Sequence, residues 1–244
     1  MSLSAVLPLT STIISAVFAV LLFRRYAERQ RAHLLVWGMG LVIYGIGTFA
    51  EFYSTQAWSA TIFRLWYLCG AVLAAAWLGQ GTIHLLVRKR GVAVALLALL
   101  LIGTAIAAVH VFATPLNESI FKPDIPLSEQ YATRSAQDIV GIMPEGGVRS
   151  YSFLFNIYGT VALVGGALYS GYLFWRKRVM PNRVLGNFFI ALGGLSPAIG
   201  GTLARGGRPE YLYLSELVGV IVIFVGFLLA TRQQPVEAPA AQAA

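Results

Sequence analysis

Four ionisable side chains sit inside or at the margins of otherwise apolar stretches: Glu51, Arg64, Arg205 and Glu216. Ions are expensive in hydrocarbon, so these groups are expected to face the protein interior and to pair. The simplest pairing joins Glu51 to Arg64 and Arg205 to Glu216. Tyr44 and Gly47 precede Glu51 by seven and four residues and share its helical face, and Tyr67 follows Arg64 by three on another. With Tyr213 and Asn156 these side chains outline an outward-facing pocket, mostly aromatic with a few fixed charges, as small-molecule sites usually are. The chemistry this suits is binding of a small polar or amphipathic molecule. The alternative is that the same charges neutralise one another and clamp the helix ends. No carboxylate pair, nucleophile motif or metal-binding helix motif stands out, so no catalytic or metal-ligating residue is assigned and the chain is read as non-enzymatic.

The elements that must position these residues are seven apolar stretches at about 4–23, 33–53, 60–87, 92–113, 151–175, 184–204 and 211–230. Each is close to the ~20 residues that cross ~30 Å of hydrocarbon. Unpaired backbone groups are not tolerated in lipid, so runs of this length must be helices. The 244 residues are 57% hydrophobic and 11% charged, which leaves a soluble domain too little polar surface to cover itself. The expected fold is an all-α seven-transmembrane-helix bundle over residues 1–231, with a disordered cytoplasmic tail at 232–244.

The net charge of +8 would point to nucleic acid in a soluble chain, but its distribution makes it an orientation signal instead. Twelve Lys and Arg fall in short loops on one side (Arg24, Arg25, Arg29, Arg31, Arg88, Lys89, Arg90, Arg176, Lys177, Arg178, Arg183, Arg232), against six on the other (Arg64, Lys122, Arg134, Arg149, Arg205, Arg208). By the positive-inside rule the first group is cytoplasmic, the N-terminus outside and the C-terminus inside. Localisation is then the inner (plasma) membrane, with an uncleaved first span.

Helices one to three recur as helices five to seven. Gly40 and Gly47-Thr48-Phe49-Ala50-Glu51 return as Gly194 and Gly201-Thr202-Leu203-Ala204-Arg205 at an offset of 154, and Leu65, Leu68 and Gly70 return as Leu214, Leu217 and Gly219 at 149. With one helix between the copies, both cross in the same direction, a parallel 3+1+3 repeat of the kind that places a ligand between its halves. Glu51 then corresponds to Arg205, Tyr67 to Glu216 and Arg64 to Tyr213. Glycine pairs in helices two, five and six predict close helix contact, and Pro197 predicts a kink in helix six.

The remaining candidates are weaker. Cys69 is the single cysteine, so no intramolecular disulfide forms. His33 and His84 lie at one depth, as axial haem ligands would, but read as interfacial histidines, and no cofactor is expected. The outer segment 114–150 holds four prolines, five acids and three bases, and is either a lid or a loose connector, with a short helix expected over Ser128 to Ile142.

Arg64-Leu65-Trp66-Tyr67, Trp77-Leu78-Gly79, Pro181 to Asn187 and Gly200 to Arg205 resemble an uncharacterised family of bacterial seven-helix integral membrane proteins. The helix count and orientation are also similar to those of the seven-helix N-terminal sensor modules of histidine kinases. The topology of microbial rhodopsins is shared too, but their retinal-bearing lysine in the last helix has no counterpart between Tyr211 and Ala230. The sequence thus predicts binding or transport of a small amphipathic or lipid-like molecule between two halves, or else a non-enzymatic sensor or accessory subunit. The partners implied are membrane lipids, such a ligand, and a membrane protein or second copy.

Overall fold

The computed structural model describes residues 3–123, 125–131, 133–134, 139–143, 147–178, 180–204 and 210–232. Seven helices are long and apolar enough to cross a bilayer: α1 (Leu3–Arg29), α2 (Ala32–Ser54), α3 (Ala60–Leu86), α4 (Gly91–Ala113), α5 (Val148–Arg176), α6 (Pro181–Leu203) and α7 (Tyr211–Thr231). The protein is therefore a multi-pass membrane protein. The expected tail falls outside the described residues.

The helix ends follow local chemistry. α1 runs to Arg29, past its last apolar residue, because arginine stems extend a helix while their heads reach water. It stops where Gln30 turns left-handed at φ 48°. Ser59 caps α3 by accepting from the Ile62 N–H at 3.4 Å.

Six helices close a ring in the order α1, α2, α3, α5, α6, α7, with α7 returning to α1. α4 packs on the outside, chiefly against α3. Accordingly 61% of the most apolar window of α3 is buried in protein but only 17% of that of α4. Glycines set close approaches, as expected at Gly47 and Gly193 though not at Gly165, where a Cβ would meet nothing within 4 Å. A Cβ at Gly186 would lie 2.5 Å from the Gly226 carbonyl oxygen, one at Gly193 2.6 Å from that of Gly219, and one at Gly47 2.8 Å from the Gly70 Cα. Backbone meets backbone there, which in lipid supplies the dispersion contact that holds helices together. The crossings do not correspond under the sequence recurrence: Gly70 meets Gly47, whereas its counterpart Gly219 meets Gly193 rather than Gly201.

Two helices widen locally to π geometry, α3 at Trp66–Leu73 and α5 at Val161–Gly165. Asn156 of α5 spans their interface, its Nδ2 donating to the Ala71 carbonyl in the π segment and to the Ser152 carbonyl, both at 2.7 Å. Pro197 lies inside α6, where it cannot donate to the Gly193 carbonyl. That carbonyl faces Gly219 instead.

The described residues of the segment between α4 and α5 pack as a cap on the bundle. The helix expected over Ser128 to Ile142 is not formed: one turn at Leu127–Gln130 gives way to an antiparallel pairing of Thr133–Arg134 with Ile139–Val140. The reason is that side-chain bonds replace helical ones. Gln130 accepts from the Lys122 N–H at 2.6 Å, donates to the Lys122 carbonyl at 2.7 Å and also donates to the Ile125 carbonyl. Arg149 donates to the carbonyls of Tyr131 (3.0 Å) and Met143 (2.7 Å). Leu127, Ile142 and Met143 are buried in the same apolar cluster as Phe63, Trp66 and Tyr67 of α3. The loop is thus part of the core at this end.

Candidate functional site

Glu51 lies one turn before the end of α2, and Glu216 lies in the second turn of α7. The ring brings them together: the two carboxyls are within hydrogen-bonding reach of each other. Trp66 Nε1 donates to Glu51 Oε1 at 2.9 Å, and the Tyr44 hydroxyl donates to the Glu216 backbone carbonyl at 2.9 Å. Oε2 of each glutamate is buried with no protein N–H or O–H donating to it. The expected pairing of Glu51 with Arg64 is therefore corrected. Arg64 does not meet Glu51; its Nη2 donates to the Thr114 carbonyl at 3.1 Å, and its Nε is buried without a partner. Successive helical positions explain this, since Trp66 follows Arg64 by two residues and so points about 200° away round the helix. When α3 presents Trp66 to α2, it must present Arg64 toward α4. Arg205, the partner expected for Glu216, lies outside the described residues. The reading that the chain has no carboxylate pair is also overturned, because 165 residues separate the two acids in sequence and only the fold joins them.

The other predicted residues divide. Tyr213 is buried beside the acids, touching the Leu127 backbone, and Tyr44 belongs to the same group. Tyr67 is buried elsewhere on α3, its ring 5.9 Å from that of Tyr131 and its hydroxyl 3.5 Å from the Val148 carbonyl. Asn156 serves the α3–α5 interface described above. Around Glu51, Ser54 and Tyr213, beneath Pro123, Ile125, Pro126 and Leu127, the free space is about 10 Å³. That holds one water and not an amphipathic molecule.

A larger cavity lies at the opposite, arginine-rich end of the ring. It measures about 350 Å³ and is lined from all six ring helices. Trp37 of α2, Phe174 of α5, and Ile190 and Phe227 of α6 and α7 form apolar walls; Thr82, Ser170 and Asn187 supply polar atoms. The exposed arginines Arg29 and Arg183 stand at its rim. Aromatic faces brace the cations of this end: Arg183 lies over Phe174 at 5.3 Å, and Arg25 over Phe227 at 4.8 Å while donating to Thr231 Oγ1 at 2.7 Å. Trp37 is held by its indole N–H on Thr82 Oγ1 (3.3 Å) and by Gly81, whose missing side chain leaves room for its ring. His33 also lines this cavity. Among the described residues no three His, Cys, Asp or Glu gather as a metal site.

Sequence reasoning passed over this cavity because it took its arginines as orientation signals. A usable signal was present: Thr82, Gly166, Ser170 and Asn187 place small or polar side chains at one depth in otherwise apolar helices. Between the cavity and the carboxyl pair the interior is filled by Leu41, Leu163, Val164 and Val220, all buried. Compared with protein-family models, with curated proteins and with solved structures, the chain matches none of them.

Proposed function

We propose that this protein binds an amphipathic anion, of the lipid or fatty-acid type, in the cavity enclosed by its six ring helices. The observation that carries the reading is the arrangement of that cavity: aromatic and aliphatic walls for an apolar body, with Arg29 and Arg183 at the rim for an acidic head. Its volume of about 350 Å³ falls within the range of small-molecule sites, at the small end. All three helices of each sequence repeat contribute to the lining, which supports a ligand held between two halves. The recurrence of Gly40 to Glu51 as Gly194 to Arg205 supports a parallel 3+1+3 duplication in which each copy crosses its helices at its own height. The twelve-to-six charge asymmetry supports an inner-membrane protein with its N-terminus outside and the cavity opening to the cytoplasm. No catalytic role is proposed.

A second reading, a sensor or accessory subunit that signals through a partner protein, is favoured by the packed interior between Leu41 and Val220. Transport needs that plug to open, whereas sensing does not.

The test is native mass spectrometry of the detergent-purified protein with binding of a fluorescent fatty acid to the protein in nanodiscs. Arg29→Gln with Arg183→Gln should weaken binding about tenfold, the loss of about 1.4 kcal/mol. Unchanged affinity in that double variant and in a cavity-filling Ser170→Trp would remove the cavity as the site. Uptake of the same probe by proteoliposomes then separates transport from sensing.

A further inference from the structure

We infer that Glu51 and Glu216 form a proton-binding site, in which the two carboxyls hold one proton between them and exchange it with the loop side through the water-sized space beneath Pro126 and Leu127. The site is independent of the amphiphile cavity and lies at the other end of the ring.

Four observations carry this. The carboxyls, one from α2 and one from α7, are within hydrogen-bonding reach, and two carboxyl groups bond to each other only if a proton lies between them. Two carboxylates in contact inside an apolar bundle would repel without relief, the situation in which paired acids share a proton. Glu51 is 4% exposed, no protein N–H donates to its Oε2, and it lines a space of about 10 Å³. A space of that size admits one water, the carrier an exchanging proton requires. Finally, no described cation offsets the pair. Among the described residues, the groups that face it include the Trp66 indole from α3, the Tyr44 hydroxyl and Ser54 from α2, Ser4 from α1, Tyr213 from α7 and, from the loop, the Leu127 backbone and the more distant Glu129. Among the described residues no Lys, Arg or His hydrogen-bonds to either carboxyl.

Release of the proton balances simply. One carboxyl O–H bond breaks, the proton passes to water in the void, and two carboxylates remain in contact. Their repulsion acts directly between α2 and α7 at the point where the loop closes the ring, so proton occupancy is tied to the packing of Leu127 over Tyr213.

The experiment is infrared difference spectroscopy of the full-length protein in nanodiscs, titrated from neutral to alkaline pH in H2O and in D2O. The expected result is the loss of one protonated carboxylic-acid carbonyl band, shifted in D2O, and absent throughout from Glu51→Gln with Glu216→Gln. Two glutamines can hydrogen-bond to each other, so that variant keeps the contact without the exchangeable acid. Absence of the band from the wild type at neutral pH overturns the proposal, as does its persistence in the double variant. The wild-type protein supplies a further check that needs no substitution. Replacing potassium by sodium at fixed pH should leave the band unchanged, and its disappearance would make this a sodium site instead.

Discussion

The Trp66 indole N–H donates to Glu51 Oε1 at 2.9 Å, so an aromatic residue of α3, and not the neighbouring Arg64, holds the acid of α2. The donor is neutral, and among the described residues no cation hydrogen-bonds to Glu51, which is what makes its contact with Glu216 chemically informative. Trp66→Phe keeps the ring and removes the donor. It should cost about 1–3 kcal/mol, the range for leaving a buried polar group unsatisfied. Thermal unfolding in detergent measures this, and the loss should shrink in a Glu51→Leu background, where no acceptor remains. Equal losses in both backgrounds would mean that the indole acts only by packing.

Glycine substitutions should separate contact positions from open ones. Any side chain at Gly159 collides with the Ala75–Ala76 peptide of α3, whereas a Cβ at Gly165, two turns further along α5, meets nothing within 4 Å. Gly159→Val should lower the unfolding temperature markedly, by the equivalent of about 1–3 kcal/mol for overpacking. Gly165→Ala should leave it unchanged or raise it. The reverse order would overturn the helix contact.

Ser170 is buried at the cavity wall. Ser170→Phe places an apolar ring where an amphiphile's body is expected, so the purified variant should carry less co-purifying lipid-like material. Lipid extraction and mass spectrometry against the wild type read this out. Undiminished recovery would argue that the material is bound on the outer surface.

Gln130 ties Lys122 and Ile125 to the turn that precedes the paired strands. Gln130→Ala should loosen the backbone around Lys122 and Ile125, because it removes three bonds there and leaves the Ile125 N–H to Lys122 carbonyl bond at 3.3 Å. Limited proteolysis should cut the variant there several times faster, with the helices intact. An unchanged digestion pattern would show that the buried side chains of Leu127, Ile142 and Met143 hold the cap alone.

The helices themselves were legible in the residues. A long apolar run must satisfy its own backbone in lipid, and that requirement alone specifies seven helices and places every end within three residues except that of α1, which runs six further to Arg29. The glycine contacts were legible in kind, as was the importance of Glu51 and Glu216, the two acids that fall within the apolar stretches. Periodicity shows which residues share a helix face, but not which helix that face meets. In a bilayer the outward and inward faces are both apolar, so the polarity contrast that orients a soluble helix is weak. Only the tertiary structure could therefore turn Trp66 toward Glu51, send Arg64 to Thr114, and bring an acid of the second helix against an acid of the seventh. The cavity at the arginine-rich end was decided at the same level, since it is the space left where six helices fail to meet and no single helix encodes it.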